Sequence, residues 1–158
     1  MVIERNTRRF ETMISFIIIL AVMIAFYLWI EKLAAGAEQS KVIYTLSNIR
    51  SSIQVFELSM IVSGRQDQLQ QHAGKNPITL MSDPIVEYGG EFKANEELAD
   101  GAWYYNVDTG NLVYKLMNKE GFGKGESLLR YRLHYVVEPG KAPSKGRLKL
   151  LQVFDSEK

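Results

Sequence analysis

The sequence contains no cysteine and only two histidines, His72 and His134. The absence of cysteine excludes a disulfide framework, a thiol nucleophile and any metal site with thiolate ligands. His72 has no second metal-binding residue three or four positions later, and His134 shares the polar face of an alternating segment with Arg130 and Arg132. We therefore expect neither a metal site nor another cofactor.

The chain also lacks a large excess of charge of one sign, because its formal net charge is +1. Such a balance argues against a protein whose main partner is a nucleic acid. Two short motifs suggest catalysis, but both fit turns better. Asp108-Thr109-Gly110 spells the aspartic-protease tripeptide at the tip of a predicted hairpin, and Gly121–Gly125 lacks the spacing and the Ser/Thr of a phosphate loop. We expect no enzyme and no small-molecule substrate.

One long apolar run is present near the N-terminus. Residues Met13–Ile30 form 18 positions without a charged side chain, and Tyr27 and Trp29 lie near the end of the run. This length and the terminal aromatic residues are typical of a membrane-spanning helix. A cleaved signal peptide and a buried helix of a soluble protein remain as alternatives, although the run is long for a signal sequence. We expect an uncleaved anchor in a lipid bilayer.

The cations beside this run predict its orientation. Arg5, Arg8 and Arg9 precede the run, whereas Lys32 is the first cation after it. Because cytoplasmic flanks are enriched in Lys and Arg, we expect the N-terminus in the cytoplasm and the C-terminal part on the opposite side of the membrane.

Beyond the apolar run, the sequence has the pattern of an amphipathic helix. Apolar residues recur at spacings of 4, 3, 4, 3 and 4 and form a seam: Val42, Leu46, Ile49, Ile53, Phe56 and Met60. Nothing breaks the helix between the two segments, and Ser63-Gly64 is a plausible end. The seam either packs on the protein's own sheet or pairs with a partner helix, and its width favours the first.

The last part of the chain has the texture of short strands and turns. Two aromatic-rich runs, Ala102–Tyr105 and Leu112–Leu116, flank an Asp/Gly loop and predict a β-hairpin. Apolar and polar residues then alternate over 129–137, and a last strand over 148–153 has a slip in phase that suggests a bulge. We predict an α+β fold in which a long helix packs on a small antiparallel sheet of about four strands.

Charge is divided into two blocks along this part of the chain. Residues 83–108 contain seven acids and one base, for a net charge of −6. Residues 115–149 contain nine bases and three acids, for a net charge of +6. Either the blocks lie on neighbouring strands and neutralise each other, or the acidic face of one molecule meets the basic face of another.

This plan resembles that of type IV pilins and type II secretion pseudopilins. The order of residues within 74–114 is similar to that of pilin-related accessory proteins of Gram-negative bacteria, in particular the biogenesis proteins of the mannose-sensitive haemagglutinin (MSHA) type IV pilus. The residues that carry this resemblance are Gly74, Asn76, Pro77, Pro84, Tyr88, Gly90, Gly101, Trp103, Tyr105 and Tyr114.

One departure from the pilin pattern bears on function. Pilins and pseudopilins are cleaved after a glycine that precedes a phenylalanine, and a glutamate follows four residues later. Here Phe10 follows Arg9, and the residue four positions later is Ile14. The resemblance therefore implies an anchored accessory protein that keeps its N-terminus.

Together these observations predict four segments. They are a cytoplasmic stub (1–12), a transmembrane helix (13–30), an amphipathic helix (31–64) and a periplasmic α+β domain with an antiparallel sheet (65–158). The resemblance implies a non-enzymatic assembly component in a bacterial inner membrane, with pilin-like or pilus assembly proteins as partners. The alternative is a membrane-tethered periplasmic sensor, in which aromatic residues such as Trp103 and Tyr105 line a ligand pocket.

Overall fold

The computed structural model describes residues 2–83, 85–93, 96–118, 122, 127–140, 142 and 145–154, with side chains from residue 10 onward. It contains a long helix, α1 (Val2–Val62), and two short 3-10 helices, Gln66–His72 and Pro77–Leu80. Five strands follow: β1 (Tyr88–Phe92), β2 (Trp103–Asn106), β3 (Asn111–Lys115), β4 (Leu128–Val136) and β5 (Arg147–Gln152). The chain divides into two compact units, Met1–Ala37 and Glu38–Lys158.

The first unit consists of the N-terminal part of α1. This helix includes an 18-residue window with a mean hydropathy of 2.7, and none of that window is buried. The helix is therefore long and apolar enough to cross a membrane. Arg5, Arg8 and Arg9 belong to the helix by their backbone, and their side chains lie outside the described structure.

The second unit contains a five-stranded sheet with the order β1-β2-β3-β4-β5. The pairs from β2 to β5 are antiparallel, as predicted. The first pair is parallel, because Tyr88 aligns with Trp103 and Phe92 with Asn106. The sheet is therefore mixed, and the prediction of a purely antiparallel sheet is wrong.

The sequence pattern misses β1 because two glycines occupy its centre. Glycine is depleted in strands, and a Gly-Gly pair is typical of a turn. In the structure, Gly90 has a φ of 104° and lies at an irregularity in the pairing of β1 with β2. A Cβ atom on Gly89 would collide with the ring of Tyr104 on β2. The glycines thus permit a bulged strand in close contact with its neighbour.

The predicted hairpin is confirmed, since β2 and β3 pair through Asn106 and Asn111. The Asn106 side-chain oxygen accepts hydrogen bonds from the N–H groups of Asp108 and Thr109, at 2.9 and 3.0 Å. Gly110 completes the turn with a φ of 69°. The bulge suggested for the last strand is absent, because β5 pairs with β4 in continuous register from Arg147 to Gln152.

The core of this unit lies between the C-terminal part of α1 and one face of the sheet. Alternate residues of β4, Leu129, Tyr131 and Leu133, are buried against the helix, as are Leu148 and Leu150 of β5. The helix ends at Val62, and Gly64 follows with a φ of 69° while Arg65 N–H donates to the carbonyl of Met60 at 2.8 Å. This glycine-dependent ending agrees with the predicted stop at Ser63-Gly64.

Candidate functional site

The predicted helix seam is covered by the protein's own sheet. Five of its six side chains are at most 6% exposed, and the sixth, Phe56, is partly buried against the same core. The seam residues are therefore brought together, but they face inward. Of the two alternatives for the seam, the structure favours packing on the sheet. The apolar side chains that remain exposed on this part of α1 lie on its other faces, and they are Ile43, Tyr44, Val55, Leu58, Ile61 and Val62.

Hydrogen bonds to the Glu38 carboxylate link α1 to the end of β3. Its carboxylate is 9% exposed and accepts hydrogen bonds from the N–H groups of Met117 and Asn118, at 2.7 and 2.9 Å. The Tyr114 hydroxyl donates to the same carboxylate at 3.2 Å. Burial, and then the nearby charge of Glu38, raise the pKa of the Tyr114 hydroxyl above its ordinary value. Three donors thus compensate for the burial of one carboxylate.

Glu57 makes the corresponding contact with β5. Its side chain is 8% exposed, and it accepts a hydrogen bond from the backbone N–H of Leu148. Sequence reasoning missed both glutamates because they are charged residues on a buried face. A signal was available, since Glu38 lies four residues before Val42 and Glu57 lies four residues after Ile53. A glutamate whose spacing matches the apolar residues of a helix seam lies on the buried face of that helix. Its carboxylate is then expected to accept hydrogen bonds from backbone N–H groups where the helix contacts the sheet.

The residues that resemble the pilin-related family form part of a hydrogen-bond network beside β1. Asn76 is 7% exposed, and its amide donates to the Tyr88 hydroxyl at 2.8 Å and to the Glu91 carboxylate at 3.2 Å. Its side-chain oxygen accepts from Ile78 N–H at 3.1 Å, which caps the 3-10 helix that starts at the buried Pro77. Asn76 therefore holds the segment before β1 against the sheet edge.

Gly74 extends the same network to β2 and β4. Its N–H donates to the carbonyl of Leu133 at 2.7 Å, and its own carbonyl accepts from the Tyr105 hydroxyl at 2.5 Å. Gly101, with a φ of 74°, donates its N–H to the Lys115 carbonyl at 2.7 Å. Pro84 lies outside the described residues. These contacts give the motif a structural role in closing the β1 side of the sheet.

The aromatic members of the motif lie in the core. Trp103 is 0% exposed, with its ring 4.9 Å from that of Tyr114 and 6.0 Å from that of Tyr131. Tyr105 is 8% exposed. Both side chains are buried, so the interpretation as core residues is confirmed for them.

The residues considered for catalysis lie apart. Asp108 and Thr109 occupy the exposed hairpin turn, as predicted, and Gly121 and 123–125 lie outside the described residues. The His72 ring contacts Phe56 at 4.8 Å, and burial and Lys75 lower the pKa of His72. His134 aligns with Lys149 on the neighbouring strand. Within the described ranges, no group of three or more His, Asp or Glu side chains is arranged to hold a metal ion.

The two charge blocks lie at opposite edges of the sheet. The acidic block includes β1, and the basic block ends with β5. The basic side chains on the last two strands alternate with buried ones and share the face away from α1, and they are Arg130, Arg132, Arg147 and Lys149. An ion pair between Lys115 and Asp100, at 3.1 Å, joins the two blocks. The strand order therefore separates β1 in the acidic block from β5 in the basic block by three strands.

A groove runs between α1 and the outer edge of β5. One part of it, about 300 Å³, is lined by Arg50, Ile53 and Gln54 of the helix and by residues 148–151 of the strand. A second part, about 360 Å³, is lined by residues 54, 57, 58 and 61 of the helix and by residues 147–149. Leu58 and Ile61 on the helix are 61% and 43% exposed. The groove combines apolar walls, cations and a strand edge, which are features of a protein-binding surface.

Comparisons of the chain with protein-family models, with curated proteins and with solved structures find no match.

Proposed function

We propose that this protein is a non-enzymatic, membrane-anchored assembly component of a type IV pilus, similar to the MSHA pilus, or of a type II secretion-like system. The apolar part of α1 anchors it in the bacterial inner membrane with the N-terminus in the cytoplasm. The sheet-containing unit lies in the periplasm and binds pilin-like or pilus assembly proteins.

The observation that carries the proposal is the contrast between the two apolar stretches of α1. The 18-residue window of the first unit is unburied and of membrane length. The seam of the second unit is buried by its own sheet. A helix that ends in a packed sheet, and that begins with an apolar segment left uncovered, is the arrangement expected of a sheet domain tethered to a bilayer.

The proposed contacts use the surfaces that the seam leaves free. The groove beside β5 and the basic face of β4 and β5 are exposed, and the acidic block lies at the other edge. Surfaces of opposite charge on one small unit favour oriented binding to charged partners. A periplasmic sensor is the rival function, but the aromatic residues expected to line its pocket, Trp103 and Tyr105, are buried in the core.

Affinity purification from native membranes tests the function. The full chain with a C-terminal tag is crosslinked in cells, extracted in detergent and purified, and its partners are identified by mass spectrometry. We expect pilus or secretion components to be enriched over a control membrane protein with the same tag. Recovery of the intact chain without any such component would contradict the proposal.

The mass and N-terminal sequence of the purified chain provide a second test. An N-terminus that keeps Arg5, Arg8 and Arg9 is expected of a permanent anchor. A shortened and N-methylated chain would show pilin-like processing and would place the protein among filament subunits, which contradicts an accessory role.

A further inference from the structure

The outer edge of β5 carries backbone groups that pair with no strand of the described residues. Leu148 N–H points away from β4, because it donates to Glu57 on the helix. Since the direction of backbone groups alternates along an antiparallel strand, the N–H groups of Leu150 and Gln152 also point outward. On that side the described residues place no further strand, because β5 ends the sheet. The continuous register from Arg147 to Gln152 keeps this edge regular.

The two faces beside this edge differ in chemistry. On the helix side, the groove is lined by the apolar residues Ile53, Leu58 and Ile61 and by the polar residues Arg50, Gln54 and Glu57. On the other face, Arg147 and Lys149 are exposed. A strand paired with β5 would point alternate side chains to the two faces. One set would meet apolar walls, and the other set would lie beside cations.

We propose that the β5 edge binds an extended segment of a partner protein in which acidic and apolar residues alternate. The segment adds to the sheet as a sixth strand and pairs with Leu150 and Gln152. Its apolar side chains enter the groove beside Leu58, and its carboxylates lie next to Arg147 and Lys149. Backbone pairing supplies affinity, and the alternation supplies specificity.

Charge argues against the other occupants of this edge. A second copy that paired its own β5 here would bring another cationic strand face, without the carboxylates that Arg147 and Lys149 favour. The acidic edge of a second copy has the matching charge, but β1 is interrupted by an irregularity between Tyr88 and Glu91. A bulged edge is a poor partner for continuous pairing.

This inference rests on the proposed function, because it names the chemistry of the partner that an assembly component binds. Its test is nevertheless separate, since it uses a synthetic ligand and purified protein. Membrane purification that recovers pilus components while the ligand fails to bind would overturn the inference and leave the function standing. Binding of the synthetic ligand without recovery of pilus components would support the inference and contradict the proposed function.

The experiment measures binding of a fluorescent octapeptide to the full chain in detergent micelles. The ligand alternates valine with glutamate. The first control has the same composition in blocks of two residues, and the second replaces glutamate with lysine. We expect the alternating acidic peptide to bind roughly tenfold more tightly than either control. Equal binding of the two acidic peptides would overturn the proposal, because it would show a charge effect without strand pairing.

Two variants test the two parts of the site. The double variant with Arg147→Glu and Lys149→Glu should bind the acidic peptide roughly tenfold more weakly and should bind the lysine peptide more tightly. Gln152→Pro removes an outward N–H and leaves the pairing with β4 in place, so it should also weaken binding, whereas Gln152→Ala should not. If the proline variant fails to fold, an octapeptide N-methylated at its valines tests the same pairing on the unaltered protein. Unchanged affinity of the methylated peptide would overturn the proposal.

Self-association is checked in the same samples. Light scattering of the chain in micelles should give one molecular mass at all concentrations in the absence of peptide. A concentration-dependent dimer that dissociates when Arg147 and Lys149 are reversed would show that a second copy occupies the edge, and it would overturn the proposed partner.

Discussion

The two edges of the sheet are closed in different ways. At the β1 edge, a glycine pair and an irregular register interrupt the strand, and the buried Asn76 ties the preceding segment to Tyr88 and Glu91. At the β5 edge, six residues pair in continuous register, and the outward contact is the hydrogen bond from Leu148 to Glu57. The first edge is bulged and acidic, whereas the second is regular and basic.

This difference indicates which edge can bind another chain. Natural sheets protect their edges with bulges, charges or covering segments, because a regular edge is a template for strand pairing. The β1 edge has a bulge and a covering segment. The β5 edge is regular, and Arg147 and Lys149 are exposed beside it, so we expect it to favour acidic partners.

The largest effect is expected at Gly89. A valine side chain there would collide with the Tyr104 ring, so Gly89→Val should lower the free energy of unfolding by about 3 kcal/mol. The measurement is urea unfolding of the full chain in micelles with Trp29→Phe, which leaves Trp103 as the one tryptophan. Adding Tyr104→Ala should restore part of the loss. Additive losses would show that the ring is not the obstacle.

The next effect concerns the tie at the β1 edge. Asn76→Ala removes three hydrogen bonds of a buried side chain, and it should cost about 2 kcal/mol of unfolding free energy. Asn48→Ala is the matched control, because Asn48 is exposed on α1 and should change the stability little. A similar change in both variants would contradict the structural role assigned to Asn76.

A smaller effect is expected at the β5 edge. Glu57→Ala leaves the Leu148 N–H without its acceptor, and it should cost about 1.5 kcal/mol. Glu57→Gln keeps an acceptor oxygen and should lose less. Amide exchange of Leu148 should be faster in the alanine variant than in the glutamine variant. Identical exchange in the two would show that the carboxylate does not hold this edge.

The smallest effect at neutral pH is expected for Tyr114→Phe, which removes one donor to Glu38 and should cost about 1 kcal/mol. The folded protein raises the pKa of Tyr114, so folding favours the neutral hydroxyl. This stabilisation is present below the unfolded pKa of about 10 and is lost as the pH rises above it. The wild type should therefore lose stability more steeply than the variant between about pH 10 and 11. Parallel curves would contradict the coupling.

Patterns that depend on alternation or on local turns could be predicted from the sequence. The helix seam, the hairpin at Asn106–Asn111 and the alternating strand β4 follow from periodicity and turn chemistry, and the structure contains all three. The strand β1 could not be predicted, because its glycines serve a close contact with Tyr104 that local propensity does not encode.

The sequence also predicts only part of the proposed binding edge at β5. The charge blocks could be counted, but their placement at opposite edges depends on the strand order. The apparent slip in phase at Leu151 was interpreted as a bulge, whereas the strand is regular and Leu151 is 44% exposed. Leu151 is thus an apolar residue on the solvent side of an edge strand, which is a local sequence sign in favour of the proposed binding surface.

Hydrogen–deuterium exchange of the full chain, with and without the alternating valine–glutamate octapeptide, tests the contrast between the edges most directly. We expect slower exchange at Leu150 and Gln152 when the peptide is bound, and unchanged exchange at Gly89 and Glu91. Protection at Gly89 and Glu91 instead, or no protection at either edge under saturating peptide, would contradict the assignment of β5 as the binding edge.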